Sequence, residues 1–233
     1  MEKTRRLARV WEVGAVVLLA IGFIVLAAGL SADWLHQFDV RIGSAVHSVR
    51  NEGLTSVAEG VTMLGKSVTD AIVFVIVALV LLLKWKQRGE TLVLLIGTVA
   101  AWALNTWLKG IFERARPLDF LVVEDGFSFP SGHAMVSSFF YGLVGYLIWI
   151  NVRDKWRFAW LVPALTAVLI ASISLTRIYL GVHYPSDVLA GLAAGGALLL
   201  LCLFAVRTIG LRRASRTGSI KTGTQTESHK VTL

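Results

Sequence analysis

Two short stretches of this 233-residue chain gather most of the side chains able to do chemistry. One carries Lys109, Arg116 and Pro117, then an acidic loop, then Pro130, Ser131, Gly132 and His133. The other carries Thr176, Arg177, His183 and Asp187. Three cations with too few carboxylates nearby demand an anion. Phosphate fits, because guanidinium forks bind its oxygens bidentately and a lysine adds a point charge. His183 and Asp187 are four residues apart with Pro185 between them, so a helix should begin just after His183 and let Asp187 reach back from its first turn. A carboxylate on one imidazole nitrogen fixes the tautomer and leaves the other nitrogen as a directed nucleophile. The blander role for such a pair is to tie two helices together.

The tetrapeptide Pro130-Ser131-Gly132-His133 reads as a helix start. Proline suits the first turn, Ser128 or Ser131 can cap it, and Gly132 lets a ligand approach the backbone. The free N–H groups of such a start attract anions, reinforced by the helix dipole. Read alone, the segment is equally well a plain cap; His133 directly after it favours a phosphate site.

These residues must be positioned by apolar helices. The chain is 55% hydrophobic and 16% charged, well below the roughly 25% charge of soluble domains. Six apolar runs, at residues 13–30, 70–83, 91–108, 134–150, 158–175 and 186–206, read as membrane spans. The expected fold is all-α, an integral-membrane bundle of six transmembrane helices. The first run exceeds the apolar core of a signal peptide, so an uncleaved anchor is expected. Residues 31–66 are more polar, with apolar positions at three- and four-residue steps, and predict one or two amphipathic helices over the bundle mouth. Residues 1–210 form the membrane domain; 211–233, rich in Ser, Thr, Gly and basic residues, reads as a disordered tail.

The net charge of +8 is spread over short loops and the tail, which argues against nucleic acid as a partner and for membrane orientation. With six spans, sixteen of the 23 Lys and Arg fall on the side of the two termini and seven on the other. Both termini are therefore expected in the cytoplasm and both motif stretches on the non-cytoplasmic face of the plasma membrane. Several residues receive bland readings. Arg114 snorkels to the headgroups, Asp70 faces water at a helix start, and His36, His47 and His229 are ordinary interface or tail residues. Gly191, Gly195 and Gly196 indicate close helix packing. The single Cys202 cannot form an internal disulfide.

The three motifs resemble those of the type 2 phosphatidic acid phosphatase superfamily of integral-membrane lipid phosphatases: K-x6-R-P, P-S-G-H and S-R-x5-H-x3-D. Lys109, Arg116 and Pro117 match the first; Pro130, Ser131, Gly132 and His133 match the second; Arg177, His183 and Asp187 match the third. Thr176 stands where the family usually has Ser. The wording around the motifs is similar to that of small bacterial phosphatidylglycerophosphate and undecaprenyl pyrophosphate phosphatases. The resemblance implies that His183 attacks phosphorus to give a phosphohistidine, with Asp187 orienting it. It implies His133 as acid and then base, with Lys109, Arg116, Ser131, Gly132, Arg177 and Thr176 around the phosphate. No metal and no cofactor is expected. The expected substrate is a membrane lipid held from the bilayer, phosphatidylglycerophosphate or undecaprenyl pyrophosphate, with phosphatidic acid or diacylglycerol pyrophosphate as the alternative. A transporter or lipid-flipping protein, and a zinc hydrolase using His133, His183 and Asp187, are the readings from other classes.

Overall fold

The computed structural model describes residues 2–228, with side chains placed for residues 10–210. Eight α-helices follow one another: α1 Glu2–Ala28, α2 Asp33–His47, α3 Glu52–Thr62, α4 Ser67–Leu79, α5 Arg88–Phe112, α6 Gly132–Val152, α7 Leu161–Tyr179 and α8 Pro185–Ser228. Six of them contain stretches long and apolar enough to cross a membrane. These stretches, Val10–Ala28, Ser67–Lys84, Arg88–Phe112, Gly132–Val152, Leu161–Tyr179 and Pro185–Gly210, coincide with the six expected runs to within a few residues. The protein is thus an all-helical, multi-pass membrane protein.

α6 is the central helix. It packs against α5, α7 and α8, and twelve of its residues are buried. That burial explains why its apolar residues run all round rather than along one stripe. Phe139, Phe140, Leu143 and Leu147 fill the core with Leu94 of α5 and Ile173 of α7. The outer helices instead show Val17, Leu18, Ile21, Val99 and Trp102 to their surroundings, as lipid-facing surfaces should.

Close approach of α8 to the start of α6 fixes the site. A Cβ placed on Gly191 would lie 2.6 Å from the Ser131 carbonyl oxygen, so only glycine lets α8 seat there. Gly195 is as tightly seated against Met135 and Ser138, whereas Gly196 meets only Leu19 at ordinary distance.

The expected amphipathic connection is α2 and α3. Asn51 caps α3 by accepting from the Leu54 N–H at 2.9 Å. Both helices pack on α7, and α2 also on α8, so they cover one end of the bundle. α4 continues into one turn of π-helix, Val80–Lys84. α8 remains helical past the apolar stretch, through the polar residues read as a tail; no proline interrupts them. Residues 229–233, with His229, lie outside the described residues.

Candidate active site

The two motif stretches meet at the α2–α3 end of the bundle, and backbone joins them first. Ser131 N–H donates to the Asp187 carbonyl at 3.0 Å, stitching the start of α6 to the first turn of α8. Ser131 is the N-cap of α6, its hydroxyl facing the Ala134 N–H at 3.5 Å. Asn105 of α5 donates to the Pro130 carbonyl at 3.2 Å and leaves too little room for a side chain at position 132. Gly132 is thus required by close packing, in addition to any ligand contact.

Asp187 has no exposed side-chain surface and two hydrogen-bond donors, with the His183 ring alongside. Its Oδ1 accepts from Arg114 Nη1 at 2.5 Å, and its Oδ2 accepts from the Tyr184 N–H at 2.9 Å. Oδ2 also lies 3.5 Å from His183 Nδ1. On the other side of the ring, Arg116 Nη1 sits 3.3 Å from His183 Nε2. A guanidinium can only donate, so Nε2 is the bare nitrogen and Nδ1 carries the proton toward Asp187. Burial above all, aided by Arg177 and Arg116, pushes His183 down to about 4 despite the pull of Asp187. At neutral pH its imidazole is uncharged, with a lone pair on Nε2.

Arg114 corrects the snorkelling assignment. Its Nη2 donates to Asp39 Oδ2 at 2.7 Å, and its guanidinium lies 4.0 Å from the centre of the Tyr184 ring. Burial lowers Arg114, but Asp187 and Asp39 outweigh it and leave the guanidinium more firmly protonated than usual. Asp39, 2% exposed, also accepts from the Ser186 N–H and hydroxyl at 2.8 and 2.7 Å. A chain of charges, Asp39–Arg114–Asp187–His183, thus crosses from α2 to α8.

The remaining cations are held by one tetrapeptide of the acidic loop. Arg177, fully buried, donates to Glu124 Oε1 and to Thr62 Oγ1, both at 2.7 Å. Arg116 donates to the Asp125 and Gly126 carbonyls at 2.8 and 3.0 Å, and to the Val182 carbonyl at 2.8 Å. Lys109 donates to the Phe127 carbonyl at 2.7 Å. Burial raises the Glu124 carboxyl, but Arg177 facing it more than offsets this and keeps it below the usual carboxylate range. Lys109 and Arg116 have only uncharged groups as direct hydrogen-bond partners among the described residues: backbone carbonyls and, for Arg116, the His183 ring nitrogen. Arg177 Nε and His133 Nε2 are buried and lack any hydrogen-bond partner in the protein. Orphaned donors of this kind are costly unless a ligand answers them. The Thr176 hydroxyl donates to Ile173 in its own helix at 2.6 Å, the usual back-bond of a helical threonine.

His133 lines a cavity of about 520 Å³ with Lys66, Asp70, Asn105 and Glu124. It interacts electrostatically with Arg177, Glu124 and His183. Gly65 abuts it so closely that a Cβ there would fall 2.7 Å from the ring. Among the described residues no three His, Cys, Asp or Glu side chains group as a metal site. The arrangement can present a neutral imidazole nitrogen to an electrophile surrounded by three cations.

Residues 90–210 match the PAP2 superfamily. The chain belongs to that superfamily. Phosphatidylglycerophosphatase B of Bacillus subtilis is 34% identical over 188 residues, which cover 79% of this chain and 91% of the relative. An undecaprenyl-diphosphatase of Sulfolobus acidocaldarius is 32% identical over 127 residues, 52% of this chain and 56% of that one. The crystal structure of a transmembrane PAP2-type phosphatidylglycerolphosphate phosphatase from B. subtilis superposes with a TM-score of 0.78 at 30% identity, covering 83% of this chain and 96% of that one. This PAP2 phosphatase therefore has the fold that its motifs implied.

Sequence reasoning missed Asp39, Thr62 and Glu124, and misread Arg114 and Asp70. Asp70 is 6% exposed and faces a cavity rather than open water. His47 is the interface residue expected: its Nδ1 lies 3.0 Å from Asp119 and its Nε2 2.9 Å from the Ile178 carbonyl. Asp39, Thr62, Arg114 and His47 meet their partners across more than seventy residues of sequence, whereas Glu124 was disguised by its acidic neighbours as loop solubility.

Removing Arg114 strands two buried carboxylates. Arg114→Ala should lower the unfolding free energy in detergent by about 3–5 kcal/mol, and adding Asp39→Asn should recover part of that loss in a double-mutant cycle. Independently, NMR titration of the solubilised protein should show His183 taking up its proton with a midpoint near 4. It then stays neutral through the range where an exposed histidine, near 6.5, becomes charged.

Proposed function

We propose that this PAP2 phosphatase removes a phosphate from a lipid headgroup through a phosphohistidine. The observation that carries the reading is the bare, neutral Nε2 of His183, held between Asp187 and the cation Arg116. Nε2 donates its lone pair to phosphorus while the bond to the lipid oxygen breaks, and the electron pair leaves on that oxygen. His133, in its protonated form, gives its proton to the leaving oxygen. Water then loses a proton to His133 and attacks phosphorus. The P–N bond breaks, its pair returns to Nε2, and inorganic phosphate departs.

Lys109, Arg116 and Arg177, with Ser131 and the Gly132 N–H, hold the equatorial oxygens where charge accumulates. Each cation exchanges a loop carbonyl or Glu124 for a phosphate oxygen on binding. These side chains supply the neutralisation, and the reaction needs neither metal nor cofactor. Thr176 acts at one remove, by fixing the helix turn that carries Arg177. The nucleophile's pre-set tautomer means that little reorganisation is needed at the moment of transfer.

The substrate is phosphatidylglycerophosphate or undecaprenyl pyrophosphate, the classes on which the similar B. subtilis and S. acidocaldarius proteins act by name. Residues 1–210 form the catalytic unit and 211–233 a cytoplasmic tail, with the site on the non-cytoplasmic face. The excess of basic residues on the side of the termini supports this orientation.

Purified protein in detergent should release inorganic phosphate from these lipids with chelator present, with vanadate inhibiting. His183→Ala should lower kcat by about 10⁴-fold or more, as loss of a nucleophile does elsewhere; full activity in that variant would remove His183 from the role, and abolition by chelator would favour zinc. For orientation, a cysteine placed at Leu118 on the exposed loop should react with an impermeant thiol label from outside intact cells. Labelling only after the cytoplasmic side is opened would invert the topology.

A further inference from the structure

Asp70 has no place in the chemistry above, yet it is an acid in the first turn of a membrane-spanning helix. It is 6% exposed, and its Oδ1 is buried with no hydrogen-bond partner in the protein. Tyr141 abuts the carboxyl and interacts with it in competition with the Leu64 carbonyl, which takes the hydroxyl proton at 2.5 Å, so Oδ1 keeps no partner of its own. An ionisable side chain at such depth without a partner is expensive and marks a place where a ligand supplies what the protein does not.

The surroundings say which part of a ligand. Asp70 lines the polar cavity that holds His133. It also lines a second cavity of about 340 Å³ walled by Phe74, Val75, Leu95, Val99 and Trp102 of α4 and α5. Ser67, Trp102 and Val136 border both spaces as well, so the two adjoin at Asp70. A lipid with its phosphate beside His133 and its chains in the apolar groove must pass the Asp70 carboxylate with the atoms that link them. Those atoms must bring a hydrogen-bond donor. A hydroxyl on a glycerol-type spacer does so. A second phosphate in the same place brings only acceptors and another negative charge.

We propose that Asp70 is a specificity-determining residue: its carboxylate accepts a hydrogen bond from a hydroxyl between the scissile phosphate and the lipid anchor, favouring a hydroxylated spacer over a pyrophosphate. This rests on the lipid-phosphatase reading and narrows it to glycerol-linked phosphomonoesters such as phosphatidylglycerophosphate.

The test compares kcat/KM of wild type, Asp70→Ala and Asp70→Asn on three substrates: phosphatidylglycerophosphate, a polyprenyl pyrophosphate, and p-nitrophenyl phosphate, which has neither spacer nor chain. Thermal melting confirms that each variant is folded. Asp70→Ala should lose about ten- to a hundredfold on phosphatidylglycerophosphate, the range expected for a hydrogen bond to a charged group. It should keep its rate on p-nitrophenyl phosphate and equal or exceed wild type on the pyrophosphate. Asp70→Asn, which keeps an acceptor but no charge, should fall between them on the glycerol lipid and gain on the pyrophosphate. A parallel loss on all three substrates, or unchanged ratios, would overturn the assignment while leaving the phosphatase intact. Wild type inactive on all three would instead bring down the phosphatase reading, and the Asp70 assignment with it.

Discussion

The structure depends on keeping Asp187 ionised where no water reaches it. A buried carboxylate persists only if cations and N–H groups replace its hydration. Arg114, the Tyr184 N–H and the His183 ring together do this. Arg114 is in turn held by Asp39 from α2, so a helix that lies across the bundle end becomes part of the support for the imidazole. This chain of charges explains why the amphipathic connection packs so firmly on α7 and α8. It is also why Ser186, next to the carboxylate, gives both its N–H and its hydroxyl to Asp39.

A second balance operates on the other face of the same imidazole. Arg116 and Lys109 carry charge into the site while bonded directly to carbonyls and, for Arg116, the neutral His183 ring, whereas Arg177 faces the ionised Glu124. Carbonyl dipoles hold a cation in place without cancelling it. In the proposed role, an arriving phosphate would meet a positive field whose donors are already aimed, and would lose little of its binding energy to organising them. The four residues from Glu124 to Phe127 are in this sense a template of acceptors set where an anion's oxygens would lie.

Much of this was legible in the sequence. Spans were readable because lipid permits only long apolar helices, and the pairing of His183 with Asp187 followed from a four-residue step at a helix start. Lys109, Arg116 and Arg177 stood out as cations beside histidines and turn residues, with too few carboxylates nearby to answer them. Asp39 and Thr62 were not legible, since they reach the site only through the docking of α2 and α3, and no local pattern distinguishes an acid on the buried face of an amphipathic helix. Arg114 was misread for a related reason. A lone arginine at a span end has the same sequence signature whether it meets headgroups or two buried carboxylates. Thr176 lay in the right place, but its hydroxyl follows the backbone rather than the ligand.

Asp70 shows the same ambiguity from the opposite direction. A carboxylate in the first turn of a helix normally faces solvent and gains from the dipole. Here Asp70 is buried instead, lining both a polar cavity and the apolar groove that adjoins it. The positive site must accept any phosphate with similar strength, because its donors address oxygens common to all of them. Discrimination must then come from what lies beyond the phosphate, and an acceptor lacking a donor is the strongest discriminator available, since leaving it unmatched is penalised more than matching it is rewarded.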